Sequence, residues 1–320
     1  MPTAAPLALG IAVVFGVYVK TLYPSVAGGD SGELIAESCH LGTAHPPGYP
    51  LFTLVSWFFT QVLAPLGGSP AWRSNLLGAL FDTASAAFVY LSVDEFLRPS
   101  VGGAALGERL VRFDAPPALA RAAGALAAMC TFAFSPLIWM YATHAEVFAM
   151  NNALVGCIVF LAIRFGRTHS LRVAELGAFV CGIALCNQHT AVLFEVPLIA
   201  WILHTLWSTG QLGVQRFAKL ACMFVAGLLP YAYLPIAQGQ RMQPGSWGDV
   251  RSAAGLLHHV RRADYGTFKL YAADEETAGL VERLKIHAID VCTRQMPVRL
   301  RTHITVPFRA NPSHHLTCSP

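Results

Sequence analysis

Apolar residues along this chain come in runs long enough to form helices that cross a membrane. They place spans at about 6–22, 75–97, 119–141, 152–166, 173–188, 191–208 and 217–237. Several are short for a hydrocarbon core of about 30 Å, which requires roughly 20 helical residues, so their ends are soft. The run 51–64 is different. Bounded by Pro50 and Pro65, it would be only about 21 Å long as a helix. Thr53, Ser56 and Thr60 fall near one of its faces. That pattern predicts a helix lying in the interface, not a crossing one.

Composition agrees with the pattern. Of 320 residues, 54% are hydrophobic and 12% charged, against about 25% charged in a soluble protein. Mean hydropathy is +0.49. The net charge of +4 is too small to point to nucleic acid. With 51–64 kept out of the membrane, Arg98, Arg109, Arg112, Arg121, Arg164, Arg167, Arg172, Arg216 and Lys219 share one side. Only Lys20 and Arg73 lie on the other before residue 238. Basic loops stay cytoplasmic. The expected topology therefore has a cytoplasmic N-terminus and a first loop, 23–74, on the opposite side together with Thr143–Asn151, Asn187–Thr190 and everything after Ala237. The first run lacks a basic n-region and reads as an uncleaved helix.

Eight cysteines occur singly, with no CxxC pair; the expectation is small buried hydrophobes, without zinc or a disulfide framework. The organisation that follows is a transmembrane helical domain over 1–237, a juxtamembrane segment over 238–301, and a disordered Pro/His/Ser-rich tail over 302–320. The chain stops without closing a further bundle, and a C-terminally short form is expected.

The chemistry concentrates in the loops. The first reads Gly28-Gly29-Asp30-Ser31-Gly32-Glu33, then His45-Pro46-Pro47-Gly48-Tyr49-Pro50. Asp30 and Glu33 have the spacing of a capping box, in which the first acid caps a helix and the second closes on it. A second turn supplies Thr143-His144-Ala145-Glu146 and a third Asn187-Gln188-His189. Ionisable groups at a membrane edge are costly and mark function by default, although His144 and His189 equally fit structural roles and Glu146 a cap. Beyond the last span, Arg241 suits an anionic phosphodiester, and Trp247 fits either an interfacial anchor or a ligand platform. His258-His259-x-Arg261-Arg262 reads as solvated or headgroup-facing surface. These residues form no defined metal-ligand set, and a divalent cation on Asp30 and a second acid stays open.

The motifs G-D-S-G-E-L, A-H-P-P-G-Y-P-L-F, H-A-E-V-F-A and S-W-G-D resemble the GT-C glycosyltransferases. Within these they are similar to the transmembrane O-mannosyltransferases acting on IPT domains of plexins and related receptors. The resemblance covers roughly residues 7–270. It implies an all-α polytopic membrane helix bundle, GT-C-like, with a juxtamembrane helix in a lumenal first loop. It also implies inverting transfer of mannose from dolichyl phosphate mannose to Ser/Thr hydroxyls in the endoplasmic reticulum membrane, with no cofactor beyond that lipid-linked donor. Asp30 then matches the first-loop catalytic acid, with Glu33 and Glu146 as orienting acids. Arg241, with His189 or His45, would neutralise the leaving phosphate, and His144 and Trp247 complete the substrate-binding candidates. Two other readings stand beside it. One is a small-solute transporter, for which Asp82 inside a span is the natural residue. The other is a truncated, non-catalytic isoform.

Overall fold

The computed structural model describes residues 4–99, 117–240 and 245–265, together with Lys285 and Ile289. Among the described residues every regular element is a helix. In chain order these are α1 (Ala4–Lys20), α2 (Ser31–His40), α3 (Pro50–Val62), α4 (Pro70–Phe96), α5 (Ala118–Ala133), α6 (Pro136–Ala142), α7 (Val147–Thr168), α8 (Leu171–Leu185), α9 (Val192–Ser208), α10 (Val214–Gly227), α11 (Tyr233–Gln240) and α12 (Ala253–Val260). The all-α membrane bundle expected from the sequence is what the chain forms.

Three helical stretches are long and apolar enough to cross a membrane: Pro70–Phe96, Val147–Thr168 and His189–Ser208. Two further candidates are bent pairs, α5 with α6 at 70° and α10 with Leu229–Gly239 at 44°. The continuous spans expected over 119–141 and 217–237 are therefore broken. Pro136 and Pro230 open the second limb of each pair, where proline cannot donate to the preceding turn. Ala4–Lys20 is apolar but shorter, and Leu171–Leu185 has 15 residues. The spans differ in depth within the bundle. The apolar window of α4 is 56% buried, whereas that of His189–Ser208 is 17% buried, so α4 is central and α9 peripheral.

Helix α4 starts where the sequence provides a cap: Ser69 accepts the Trp72 N–H at 3.1 Å and Pro70 opens the first turn. Inside it, Asp82 is fully buried and accepts from Asn152 Nδ2 at 3.0 Å, tying α4 to α7. Helix α3 lies with its polar stripe inward. Thr53, Ser56 and Thr60 are buried, Ser56 and Ser74 share a hydrogen bond at 3.1 Å, and Phe58, Val62 and nearby Leu66 face outward. An apolar outer face on a 13-residue helix suits contact with lipid at the membrane edge.

The two ends of the bundle differ in charge. At one end Asp94 pairs with Arg98 at 2.6 Å and Arg121 at 2.7 Å, and Glu95 with Arg167 at 3.4 Å. Of the basic residues that the sequence assigns to one side, Arg98, Arg121, Arg164 and Arg167 meet around Asp94 and Glu95, and Arg109 and Arg112 lie outside the described residues. At the other end Tyr23 N–H donates to Thr143 O, Asn187 Nδ2 to Val147 O, and Leu51 N–H to Cys186 O. These bonds gather the first loop and both polar turns. Cys39, in this loop region, is disulfide-bonded, which corrects the expectation that no cysteine is bridged. Cys130, Cys157, Cys181, Cys186 and Cys222 are free.

Helices α8 and α10 meet through Gly182 and Gly227. A Cβ on Gly182 would collide with the Phe224 carbonyl and lie 2.9 Å from Gly227 Cα, while one on Gly177 would meet nothing within 4 Å. Backbone cannot yield as a flexible side chain can, so Gly182→Leu is expected to cost about 1–3 kcal/mol or more by overpacking. Gly177→Leu should leave the thermal midpoint in detergent unchanged, and equal midpoints for the two variants would contradict the crossing.

Candidate functional site

The site forms around the N-terminus of α2. The first N–H groups of any helix lack intrahelical partners. Asp30 occupies the cap position, its carbonyl accepting the Leu34 N–H at 2.9 Å, yet its side chain makes no capping bond. The capping box expected from Asp30 and Glu33 is not formed. Glu146 caps the helix instead, from the start of α7, with Oε1 accepting the Asp30 N–H at 3.0 Å and a further bond from the Ser31 N–H. This approach needs Gly29, at φ 71°, where a Cβ would lie 2.9 Å from Glu146 Oε1. The Asp30 carboxylate, which makes no capping bond, is 60% exposed.

Glu33 turns to the second half of the loop. Its carboxylate accepts the His45 backbone N–H at 2.6 Å and lies 3.1 Å from His45 Nδ1. The other ring nitrogen, Nε2, is 3.2 Å from the Tyr49 hydroxyl and 3.8 Å from Asp30 Oδ2. His45 thus bridges two acids, and the Pro46–Gly48 turn with Tyr49 at φ 40° returns the chain beneath it into α3.

The electrostatics follow from this packing. Burial alone would raise Glu33, but the hydrogen bonds and charge of His45 outweigh it and hold the carboxyl below its ordinary value. Burial would lower His45, but its bond to Glu33 and the Glu33 and Asp30 charges lift it above the usual imidazole range. The pair therefore favours the imidazolium more than a free histidine would. Glu146 is pushed up to about 7, first by burial and then by the Asp30 charge. Tyr49 rises to about 12, mainly through burial.

Not every residue picked out by sequence joins this cluster. His144 packs edge-on against Tyr23, ring centroids 5.3 Å apart, a structural role. His189 bonds the Tyr231 hydroxyl at 2.6 Å rather than either acid. Trp247 stands with its ring centroid 6.3 Å from that of His45. Arg241 lies outside the described residues. Among the described residues no three His, Cys, Asp or Glu side chains are grouped to hold a metal ion.

Sequence reading missed two residues in the 258–262 cluster. His259 is buried, its Nε2 donating to Ala44 O at 3.1 Å and its ring lying against Gly48 and Gly248. Arg262 stacks over Tyr265 with Cζ 5.5 Å from the ring centroid. Its Nε is buried without a hydrogen-bond partner among the described residues, and its charge is felt at His45, Tyr49 and His189. The sequence signal was there as two basic residues after a short apolar helix, but nothing in their spacing separated a partly buried arginine from a solvated one.

The cap gives a test with a definite sign. Glu146 titrates near 7 when folded and near 4.5 in an unfolded chain, so between these values the fold binds the extra proton. Its contribution to stability therefore grows as pH falls through about 7 towards 4.5. Glu146→Gln keeps the acceptor oxygen and should fold without that pH-dependent increment. Glu146→Ala should lose about 0.5–2 kcal/mol at every pH through loss of the cap. Chemical or thermal melts of the three proteins from pH 5 to 8 measure both effects.

The chain belongs to the TMEM260 family: the Protein O-mannosyl-transferase TMEM260 N-terminal domain matches residues 30–211. It is 40% identical over 263 residues to the mouse (Mus musculus) Protein O-mannosyl-transferase TMEM260, covering 81% of this chain and 34% of that protein. It is 32% identical over 284 residues to Protein O-mannosyl-transferase tmem260 of Dictyostelium discoideum, covering 85% of this chain and 32% of that one. The chain thus spans about a third of the length of either relative. No solved structure matches it.

Proposed function

We propose that this chain carries the catalytic loop of a protein O-mannosyltransferase that moves mannose from dolichyl phosphate mannose to Ser/Thr hydroxyls of IPT domains in receptor ectodomains. Its place is the endoplasmic reticulum membrane, with the N-terminus cytoplasmic and the end bearing Asp30 in the lumen. The arginines gathered at the opposite end support that orientation, as does a disulfide at Cys39, since such bonds persist in oxidising compartments. The names of both relatives support the transferase.

The observation that carries the reading is the state of Asp30: a helix-cap aspartate whose side chain makes no capping bond, with its carboxylate 60% exposed and 3.8 Å from His45 Nε2. A serine hydroxyl is a weak nucleophile. A carboxylate within hydrogen-bond reach takes its proton as the oxygen attacks the anomeric carbon. The bond from that carbon to the phosphate oxygen breaks, and the lipid phosphate leaves with the electron pair. It departs as an anion, so the site must supply positive charge. His45, 3.8 Å from Asp30, and Arg262, whose charge reaches Tyr49, can supply it, together with Arg241, which lies outside the described residues. Glu33 orients His45, and Glu146 orients the backbone that carries Asp30.

Asp30→Asn removes the base while keeping the residue's size. It should lower mannose transfer to an IPT domain by about 10²–10⁴-fold with an unchanged melting profile. Transfer at the wild-type rate would eliminate Asp30 as the base. A second reading is donor binding without turnover; donor affinity with no mannosylated product from the wild-type chain would select it.

A further inference from the structure

The turn from Gly245 to Val250 lies beyond the matched domain, yet it is fastened to the first loop more firmly than a surface loop requires. Ser246 Oγ donates to Glu37 Oε2 at 2.7 Å and accepts the Thr43 N–H at 3.0 Å. The Trp247 N–H donates to Thr43 O at 2.9 Å. The Gln238 amide donates to the carbonyls of Trp247 at 3.1 Å and Gly248 at 3.0 Å, while its Oε1 accepts the Val250 N–H at 2.9 Å. Gly248, at φ 66°, rests on the His259 ring. Glu37, Gln238 and His259 are all buried; the first two are bonded within one network, and His259 bonds the adjoining Ala44 carbonyl. Such networks specify a single geometry, because a half-satisfied one is costly.

What this frame holds out is an indole. Trp247 is 41% exposed, while its backbone is bonded on both sides. A lipid anchor needs no fixed heading. Trp247 has one: its ring stands beside that of His45, whose Nε2 lies 3.8 Å from the Asp30 carboxylate. The turn continues into an exposed Asp249–Arg251 pair at 2.9 Å, which places the turn at a water-facing rim rather than among the lipid-facing helices.

Resting on the transferase reading above, we propose that the Gly245–Val250 turn is the acceptor wall of the site, with Trp247 the platform on which the polypeptide lies while its hydroxyl reaches Asp30. A lipid-linked donor arrives from the apolar helices and brings an anion, for which Arg262 is available. A folded ectodomain arrives from water and presents apolar and peptide surface, which an exposed, rigidly held tryptophan binds at low entropic cost. Glu37 and Ser246 are positioning residues that set the height of the platform, and Gly42 lets them meet, since a Cβ there would collide with Glu37.

The test is steady-state transfer from dolichyl phosphate mannose to an IPT-domain polypeptide, with each substrate varied in turn. Trp247→Ala should raise the acceptor KM by about tenfold or more, as truncation of an interface tryptophan does, and leave the donor KM unmoved. Trp247→Phe should restore most of the loss. Ser246→Ala, which cuts the latch without touching the indole, should also raise the acceptor KM selectively. An unchanged acceptor KM in Trp247→Ala, or a rise in the donor KM instead, overturns the platform while leaving the transferase reading intact. If the wild-type chain binds donor without turnover, equilibrium binding of the same IPT-domain polypeptide to wild type and Trp247→Ala reads the same difference, and equal or absent binding overturns it. Loss of both donor binding and transfer in the wild-type chain would strike the transferase reading itself.

Discussion

A helix whose first N–H groups are buried must find acceptors for them, and at Ser31–His40 the acceptor comes from another part of the chain. Glu146 sits 116 residues away from Asp30 and closes the gap at 3.0 Å. Three consequences follow. Glu33, which in a capping box would accept the Asp30 N–H, is released to pair with His45. Gly29 becomes necessary, because any side chain there would occupy the space of the Glu146 carboxylate. The start of α7 is also held against the first loop, and with Asn187 Nδ2 on Val147 O the third turn is drawn in as well. One carboxylate thus couples the placement of three loops that the membrane-crossing helices alone would only bring to the same end.

The same bond explains how far the sequence could be read. The spans were legible because apolar runs of this length have few other uses, and α3 was separated from them by its two prolines and its Thr53–Ser56–Thr60 stripe. The stripe gave the helix's position but not its facing: it packs inward on Ser74, with the apolar side outward. Convergence of the polar turns was legible from topology. The cap was not, because D-x-x-E spacing is local, and a local rule cannot see a competing acceptor 116 residues away. Once Glu146 takes the Asp30 N–H, Glu33 has no reason to reach back and pairs with His45. Bends at Pro136 and Pro230 were visible as prolines but not as angles, since neighbouring helices decide whether a proline in a span kinks it.

The residues missed altogether share a cause. His259, Arg262, Gln238 and Ser246 lie after residue 211, where the match to the family domain ends, and their sequence has the polar look of a surface. The partners of His259, Ser246 and Gln238 are Ala44, Glu37 and Thr43 in the first loop, more than 190 residues earlier. Burial of a histidine in that segment depends on two glycines, Gly48 and Gly248, that meet its ring from opposite ends of the chain. No window of sequence contains that information. The site is consequently shared between the matched domain, which brings the acids, and the segment after it, which brings a cation and an aromatic wall.

This division gives the two central carboxylates different environments. Asp30 and Glu146 touch through one N–H, yet Asp30 faces water and Glu146 is 6% exposed. Burial and the Asp30 charge push Glu146 up to about 7, so a proton entering the pair near neutral pH has a place to reside other than the exposed acid. Paired acids in contrasting surroundings are the usual means of holding one group ready for proton transfer while the other serves as support. Here the supporting acid remains an acceptor for the Asp30 N–H in either protonation state, because a carboxylic acid keeps a carbonyl oxygen. The backbone geometry of Asp30 is therefore insulated from the titration of its neighbour, and His45 is held beside it by Glu33.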